Sequence, residues 1–263
     1  MNPSPARFAW ALERSAGLFT IVPVRAQAAD LGPRDGVAAL LWLPAIGAAA
    51  GGLAGLPATA IRQWSPHANG LGAVIAIALL AIVTRCLHLD GLADTADGLG
   101  SRAPAERALE IMRKSDIGPF GVVTLVLVLL ADVVAVSGVA GGPWTPVAAL
   151  AVAAMTGRVA AVQAAMRGVK AARTSGFGTL VADGVAPGAV AAWTIGALAA
   201  GALIAAAAGL QIIWVVGCQC VAMGASWLLR VHAGRRLGGM TGDVFGALIE
   251  TATAVALVGI ALW

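Results

Sequence analysis

Residues 187–208 read PGAVAAWTIGALAAGALIAAAA and residues 211–229 read QIIWVVGCQCVAMGASWLL, and neither run contains a charged side chain. An α-helix needs about 20 apolar residues to cross the hydrocarbon core of a bilayer. Each run is long enough for one crossing, and together they are too long for a single one. We therefore predict two membrane spans here, separated at Gly209-Leu210-Gln211, in an all-α integral membrane protein.

The composition of the whole chain supports the same fold class. Of its 263 residues, 59% are hydrophobic and only 11% are charged, with a mean hydropathy of +0.88. A soluble domain carries roughly 25% charged residues, so lipid must be the solvent for much of this chain. The sequence shows no basic patch on a soluble module, which argues against nucleic-acid binding. The three cysteines lie in or beside apolar runs, where packing is their simplest role.

The sequence predicts a single membrane domain over residues 1–263, a polytopic bundle of about seven transmembrane helices. Its spans are rich in Ala and Gly, which lets membrane helices pack closely. Residues 1–36 would form a cytoplasmic or interfacial segment, with an amphipathic stretch over residues 7–22. The predicted spans are residues 37–57, 70–87, 119–140, 144–166, 187–208, 211–229 and 243–262.

The basic residues predict the orientation. With a cytoplasmic N-terminus, all of the 17 Lys and Arg residues except Arg62 fall on the cytoplasmic side, as the positive-inside rule requires. The rule also supports the break near residue 209, since one span fewer would place Arg230, Arg235 and Arg236 outside. We expect a multi-pass protein of the cell (cytoplasmic) membrane whose chemistry faces the cytoplasm.

The sharpest local motif is His88-Leu-Asp-Gly-Leu-Ala-Asp-Thr-Ala-Asp-Gly98, at the end of the second predicted span. On a helix, Asp90, Asp94 and Asp97 form one narrow stripe. Carboxylates at this spacing repel each other, and they are typical of a Mg²⁺ or Mn²⁺ site that leaves positions open for phosphate oxygens. The alternative is a solvated acidic helix end. His88 lies away from the acids, where an interfacial or packing role is favoured over ligation.

Other polar residues are predicted to lie on the same membrane side as the acids. Gly91 and Gly98 flank the acidic stripe and would let another backbone or a ligand come close. The Gly-rich turn 173–178 could hold an anion with its backbone amides, and Asp243 could cap the last span or complete a metal site. Asp132 and Glu250 lie inside spans and should face the bundle interior. The candidate phosphate-binding residues are Arg113, Lys114, Arg173 and Ser175, and Asp116, His88 and Arg158 are weaker candidates for the site.

At these residues the sequence resembles the cobalamin synthase family, the adenosylcobinamide-GDP ribazoletransferases. The similarity runs from Gly17–Pro23 through the acidic motif to Ile117–Gly121, Arg173–Gly178 and Thr241–Asp243. The resemblance implies that a ribose hydroxyl of α-ribazole, or of its 5′-phosphate, attacks adenosylcobinamide-GDP. GMP then leaves and the nucleotide loop of cobalamin is complete. The resemblance further implies a Mg²⁺ cofactor and a prokaryotic cytoplasmic membrane, and a homo-oligomer is possible.

In this interpretation Asp90 and Asp94 are metal ligands, Asp94 and Asp97 are catalytic, and Asp97 is a ligand or proton acceptor. Asp243 adds a further acid. Many relatives read Lys-Asp-Ser-Arg-Ile-Gly where this chain reads Arg113-Lys-Ser-Asp-Ile-Gly118, so acid and base have exchanged places around Ser115. Which of these side chains touches phosphate stays open.

Two other classes of protein compete with this interpretation. A CDP-alcohol phosphotransferase uses a similar acidic stripe, but its D-G-x-x-A-R segment is absent, and Asp97–Arg102 only approaches it. A corrinoid or cation transporter should place polar groups near the bilayer midplane and often carries an internal repeat. Here the ionisable residues crowd one interface and no repeat is visible.

Overall fold

A computed structural model describes residues 5–24 and 32–263 of the chain. Within these ranges the backbone forms eleven α-helices, a short 3-10 helix at Pro66–Ala68 and no strand. Residues 1–4 and 25–31 of the predicted interfacial segment, with Arg25, lie outside the described residues. The helices are α1 (Pro5–Phe19), α2 (Pro33–Trp64), α3 (Asn69–Val83), α4 (Leu87–Gly100), α5 (Ala105–Ile111), α6 (Pro119–Gly138), α7 (Thr145–Ala164), α8 (Phe177–Val181), α9 (Pro187–Ala208), α10 (Ile212–Leu237) and α11 (Gly242–Ala261).

Seven of the described helices are long and apolar enough to cross a membrane, namely α2, α3 with its preceding turn, α6, α7, α9, α10 and α11. The all-α fold and the number of spans are therefore confirmed. The predicted break separates α9 from α10, where Gly209 adopts a left-handed φ of 70°. Gln211 then caps α10 by accepting a hydrogen bond from the Trp214 backbone N–H at 2.7 Å. α2 is longer than predicted and runs through Pro44 and Pro57.

The acidic motif lies on a helix of its own and not on an extension of the second span. α3 ends at Val83, and Arg85 and Cys86 turn the chain with φ values of 55° and 54° before α4 begins at Leu87. The predicted span 70–87 is therefore too long at its C-terminal end. Left-handed φ values are uncommon in residues other than Gly, Asn and Asp, so this sequence carries no local signal for the break.

α7 forms the centre of the bundle. Most of its side chains are buried, and α2, α9, α10 and α11 all pack against it. α2 approaches α7 through Gly47, Gly51 and Gly55, which recur every fourth residue. A Cβ atom at Gly55 would lie 2.6 Å from the Val147 Cα, and one at Gly51 would collide with the Leu150 carbonyl group. Small residues at such positions let the backbones of two membrane helices pack closely against each other.

Gly51→Ala is expected to destabilise the bundle, since α2 and α7 must separate to admit the new methyl group. Overpacking of this kind costs about 1–3 kcal/mol, which should lower the thermal unfolding midpoint in detergent. Gly52→Ala is the matched control, because a Cβ atom there would lie 3.8 Å from the Ala151 Cβ, an ordinary contact. Equal midpoints for the two variants would contradict this packing.

Tryptophans mark the end of the bundle opposite to α4. Trp64 ends α2, Trp144 precedes α7, and Trp214 lies in the first turn of α10. The rings of Trp214 and Trp263 lie 5.7 Å apart. Because Trp is enriched at membrane–water interfaces, this end fits an interfacial belt. The opposite end carries α4, α5 and the loop from residue 165 to residue 186.

Candidate active site

The site forms where α4 crosses the start of α11. A Cβ atom at Gly91 would lie 2.6 Å from the Asp243 carbonyl oxygen, and one at Gly246 would lie 2.9 Å from the His88 carbonyl oxygen. The predicted close approach at Gly91 is thus confirmed. The absence of a side chain brings the Asp243 backbone against the helix that carries Asp90 and Asp94.

The acidic stripe runs from solvent into the protein. Asp90 is exposed, Asp94 is half-buried and Asp97 is buried, with 8% of its surface exposed. Burial, together with the negative charges of Asp90, Asp243 and Asp97, raises the pKa of Asp94 to about 7, while Arg173 opposes the shift. The four carboxylates therefore share one electrostatic environment, and adding a positive charge to it is favourable.

Asp97 is held by the start of α6. The backbone N–H groups of Gly118 and Gly121 donate to its two carboxylate oxygens at 2.7 and 2.9 Å. A carboxylate in this position satisfies orphan N–H donors and complements the positive end of the helix dipole. Each oxygen thus accepts one backbone hydrogen bond, so Asp97 positions the start of α6 against α4 while it also lines the smaller cavity.

Asp97→Asn should lower the free energy of unfolding by about 1–3 kcal/mol, because the new amide group turns one acceptor into a donor facing an N–H group. We expect a lower thermal unfolding midpoint, measured in detergent without metal. Asp116→Asn serves as the comparison, since Asp116 is exposed near the same turn. A fully active, equally stable Asp97→Asn protein would show that α6 does not depend on this carboxylate.

Arg173 ties the loop after α7 to the acids. Its Nη1 donates to Asp243 Oδ2 at 3.0 Å, and its Nη2 donates to the Leu109 carbonyl oxygen at 3.1 Å. Thr241 caps α11 by accepting a hydrogen bond from the Val244 N–H at 3.2 Å. Thr241 rather than Asp243 therefore caps α11, and the Asp243 carboxylate pairs with Arg173.

Two cavities open on either side of the acidic stripe. The larger, of about 390 Å³, is lined by Asp90, Asp243, Arg173 and Ser175 among others. The smaller, of about 260 Å³, is lined by Asp94, Asp97, Lys114, Asp116 and Phe120 among others. Of the predicted phosphate-binding residues, Arg173 and Ser175 therefore line the larger cavity and Lys114 lines the smaller one.

Three basic residues differ from their predicted positions or roles. Arg113 is exposed and lines neither of these cavities. Arg158 lies inside α7, within the predicted span 144–166, and is only 1% exposed. Its guanidinium group contacts His88 and lines neither cavity, so the structure does not bring it to the predicted phosphate-binding residues. Arg85 was predicted only as one of the cytoplasmic basic residues, yet it lines the larger cavity. Its position just before the acidic motif was the one signal in the sequence.

His88 and Arg158 form a buried polar contact beneath the larger cavity. Arg158 Nη2 lies 3.2 Å from His88 Nδ1, and the Glu250 carboxylate lies 3.7 Å from the same nitrogen. The His88 ring stacks on Phe19 with centroids 6.3 Å apart, as a packing histidine should. Burial and the Arg158 charge lower the pKa of His88 well below its ordinary value, so the ring is neutral. Asp132 and Glu250 are buried, as predicted.

The donor set suits a hard divalent cation in an open site. Over the described part of the chain, no three His, Cys, Asp or Glu side chains converge as a closed ligand set. Mg²⁺ usually keeps several waters and is held by one or two carboxylates together with substrate phosphates. Asp90 and Asp94, one turn apart on α4, offer such carboxylates in a region of excess negative charge.

The chain is similar in sequence to known proteins over most of its length. The family described as cobalamin-5-phosphate synthase matches residues 12–261. The adenosylcobinamide-GDP ribazoletransferase of Frankia casuarinae is 40% identical over 262 residues, covering 93% of this chain and 92% of that protein. The adenosylcobinamide-GDP ribazoletransferase of Citrobacter koseri is 36% identical over 221 residues, covering 84% of this chain and 86% of that protein. No solved structure matches the chain.

Proposed function

We infer that this chain, which belongs to the cobalamin-5-phosphate synthase family, transfers ribazole to adenosylcobinamide-GDP through a Mg²⁺-dependent site on the cytoplasmic face of the cell membrane. The transfer, and with it a role in cobalamin synthesis, follows from the family and from the names of the relatives. The metal, the residue roles and the membrane side are proposals.

The reaction moves a substituted phosphoryl group from one oxygen to another. A ribose hydroxyl of the acceptor, either α-ribazole or its 5′-phosphate, forms a new P–O bond to the phosphorus next to cobinamide. The P–O bond to GMP breaks, GMP leaves with the electron pair, and the hydroxyl proton passes to a base. Such transfers depend mainly on positioning and on charge stabilisation.

The observation that carries the proposal is the acidic stripe between two cavities. Asp90 and Asp94 would hold Mg²⁺, which offsets the charge of the diphosphate and of the leaving GMP. Asp90 and Asp243 face the larger cavity, and Asp94 faces the smaller one. A diphosphate that crosses the stripe would meet Arg173 on one side and Lys114 on the other.

The raised pKa of Asp94 leads to a pH dependence of the stability of the metal-free protein. The folded chain holds a proton on Asp94 up to about pH 7, whereas the unfolded chain loses it near the ordinary carboxyl pKa of 3.8. The folded state therefore binds more protons in this window, and stability falls as pH rises. In EDTA, we expect the thermal unfolding temperature to fall as the pH is raised from about 5 to about 8, and to fall less in Asp94→Asn. Added Mg²⁺ should recover the loss at the higher pH.

The activity is tested with the purified full chain in detergent, adenosylcobinamide-GDP and α-ribazole, with GMP and the cobalamin product measured together. We expect both products in equal amounts with Mg²⁺ and neither in excess EDTA. CMP release from a CDP-alcohol donor would instead favour a CDP-alcohol phosphotransferase. Turnover that is unchanged by EDTA would remove the metal from the proposal and leave ribazole transfer standing.

The membrane side is tested separately by cysteine labelling in intact cells. In a background without the native cysteines, a cysteine at Arg113 should resist a membrane-impermeant maleimide, whereas one at Trp144 should react. The reverse pattern would place the site on the exterior.

A further inference from the structure

The larger cavity has polar residues at its mouth and is mostly apolar in its interior. The exposed lining residues include the polar Arg85, Asp90 and Ser175. Within the described part of the chain, the buried lining side chains are apolar except for His88 and the helix-capping Thr241, and the apolar ones include Phe19, Leu40, Leu43, Phe245 and Ile249. Phe177 packs edge to face on Phe19 and on Phe245, with centroids 5.5 and 6.1 Å apart. Pockets for drug-sized ligands span about 300–1,000 Å³, so about 390 Å³ suits a nucleoside and is too small for a corrin macrocycle.

One buried donor in this cavity wall lacks an acceptor. The Arg158 guanidinium can only donate, so His88 Nδ1 must accept its hydrogen bond and the ring proton lies on Nε2. Nε2 is buried and has no hydrogen-bond partner among the described residues. His88 is 3% exposed and lines the larger cavity. An unpaired N–H in an apolar setting is costly, and a ligand with a single acceptor would relieve that cost.

We propose, on the basis of ribazole transfer as the activity, that this cavity binds the benzimidazole base of the acceptor, with the His88 Nε2–H donating to its unsubstituted ring nitrogen. The base is flat, apolar and carries one free acceptor, which matches phenylalanine walls and one N–H group. It stacks against the aromatic rings in the offset or edge-to-face arrangements that such rings prefer.

The guanine of the donor fits this cavity poorly. Its edges carry several donors and acceptors, whereas His88 and the already hydrogen-bonded Thr241 are the only polar side chains among the described buried residues that line the cavity. Burying unpaired polar groups costs binding energy, and this gives strong discrimination between ligands. The corrin and the guanine are therefore placed outside the larger cavity, on the side of the stripe that Lys114 lines.

This placement orients the acceptor for the reaction. With the base in the apolar interior, its ribose lies at the polar mouth beside Asp90, Arg173 and Asp243. The ribose hydroxyl thus comes next to the carboxylates, and the aromatic interior keeps water from the base. α1, through Phe19, and α8, through Phe177, become parts of the acceptor site although neither carries the acidic motif.

Phe177→Leu tests the aromatic wall. We expect the KM for α-ribazole to rise about tenfold, which corresponds to about 1.4 kcal/mol, with the KM for adenosylcobinamide-GDP unchanged. Trp193→Leu is the matched control, because it removes another edge-to-face pair, with Trp42 at 6.0 Å, away from the cavity. A rise in the donor KM alone would overturn the assignment and place the donor in this cavity.

The hydrogen bond is tested with an acceptor in which a C–H group replaces the free ring nitrogen, an indole riboside. The native protein should show a KM at least about tenfold higher for this analogue than for α-ribazole, since a buried donor loses its partner. His88→Ala should lose this discrimination. Equal KM values for the indole riboside and α-ribazole in the native protein would show that His88 makes no such hydrogen bond. This test does not depend on the folding of any variant. Absence of GMP release with every acceptor would instead refute the proposed function itself.

Discussion

Asp94→Asn is expected to lower kcat at least about 100-fold, which is about 2.7 kcal/mol of transition-state stabilisation. The substitution keeps the shape of the side chain and removes the charge that faces the smaller cavity. If Asp94 holds Mg²⁺ against the diphosphate, the neutral amide is a much poorer ligand. The measurement is GMP release at saturating concentrations of both substrates.

The same variant should be more stable than the native protein when metal is absent. Asp94 is crowded by Asp90, Asp97 and Asp243, so removing its charge removes repulsion. Glu106→Gln is the control, because this acid is exposed in the first turn of α5, away from both cavities. It should change neither turnover nor stability. Full turnover in Asp94→Asn would refute the assigned role of this carboxylate.

Arg173→Gln should lower kcat/KM for adenosylcobinamide-GDP at least about 100-fold, equivalent to about 2.7 kcal/mol. Arg173 is the cation paired with Asp243 at 3.0 Å, and its loss leaves four clustered acids to repel the incoming diphosphate. Arg173→Lys should recover part of the loss, since charge returns without the two-pronged guanidinium geometry. The measurement is initial rates of GMP release over a range of donor concentrations.

The control for Arg173 is Arg107→Gln. Arg107 pairs with Glu110 at 2.7 Å on the exposed surface of α5, where an ion pair contributes little. This variant should behave as the native protein. If Arg107→Gln and Arg173→Gln reduced kcat/KM equally, the effect would reflect the overall positive charge and not a phosphate contact at the site.

The spans were predictable because lipid imposes a simple rule on sequence. A run without charged residues and long enough to cross the bilayer has few alternatives to a helix, and the basic residues place even the break at Gly209. The stripe Asp90, Asp94 and Asp97 was predictable for a similar reason, since its spacing fixes one helical face.

Other features depend on contacts between distant parts of the chain. The position of Asp97 in the sequence does not show that the backbone N–H groups of Gly118 and Gly121 will donate hydrogen bonds to its two carboxylate oxygens. Arg158 was counted with the cytoplasmic basic residues, and only the structure shows its buried contact with His88. The phenylalanine-lined cavity draws residues from α1, α8 and α11, which no local pattern connects.

The left-handed turn at Arg85 and Cys86 was also beyond sequence reasoning. Its cost is offset by the packing that α4 gains against α6 and α11, and this packing is a property of the folded bundle. The turn matters for function because it makes the acidic motif a separate helix that packs against α6 and α11.

Titration of Mn²⁺ into the purified full chain, followed by the electron paramagnetic resonance signal of the free ion, tests the metal assignment most directly. We expect native protein to bind Mn²⁺ more tightly when adenosylcobinamide-GDP is present, because phosphate oxygens complete the ligand set. Asp94→Asn should bind at least about tenfold more weakly, which is about 1.4 kcal/mol, while Glu106→Gln binds as the native chain does. Equal Mn²⁺ affinity in the native chain and in Asp94→Asn would contradict a cation held on the acidic stripe.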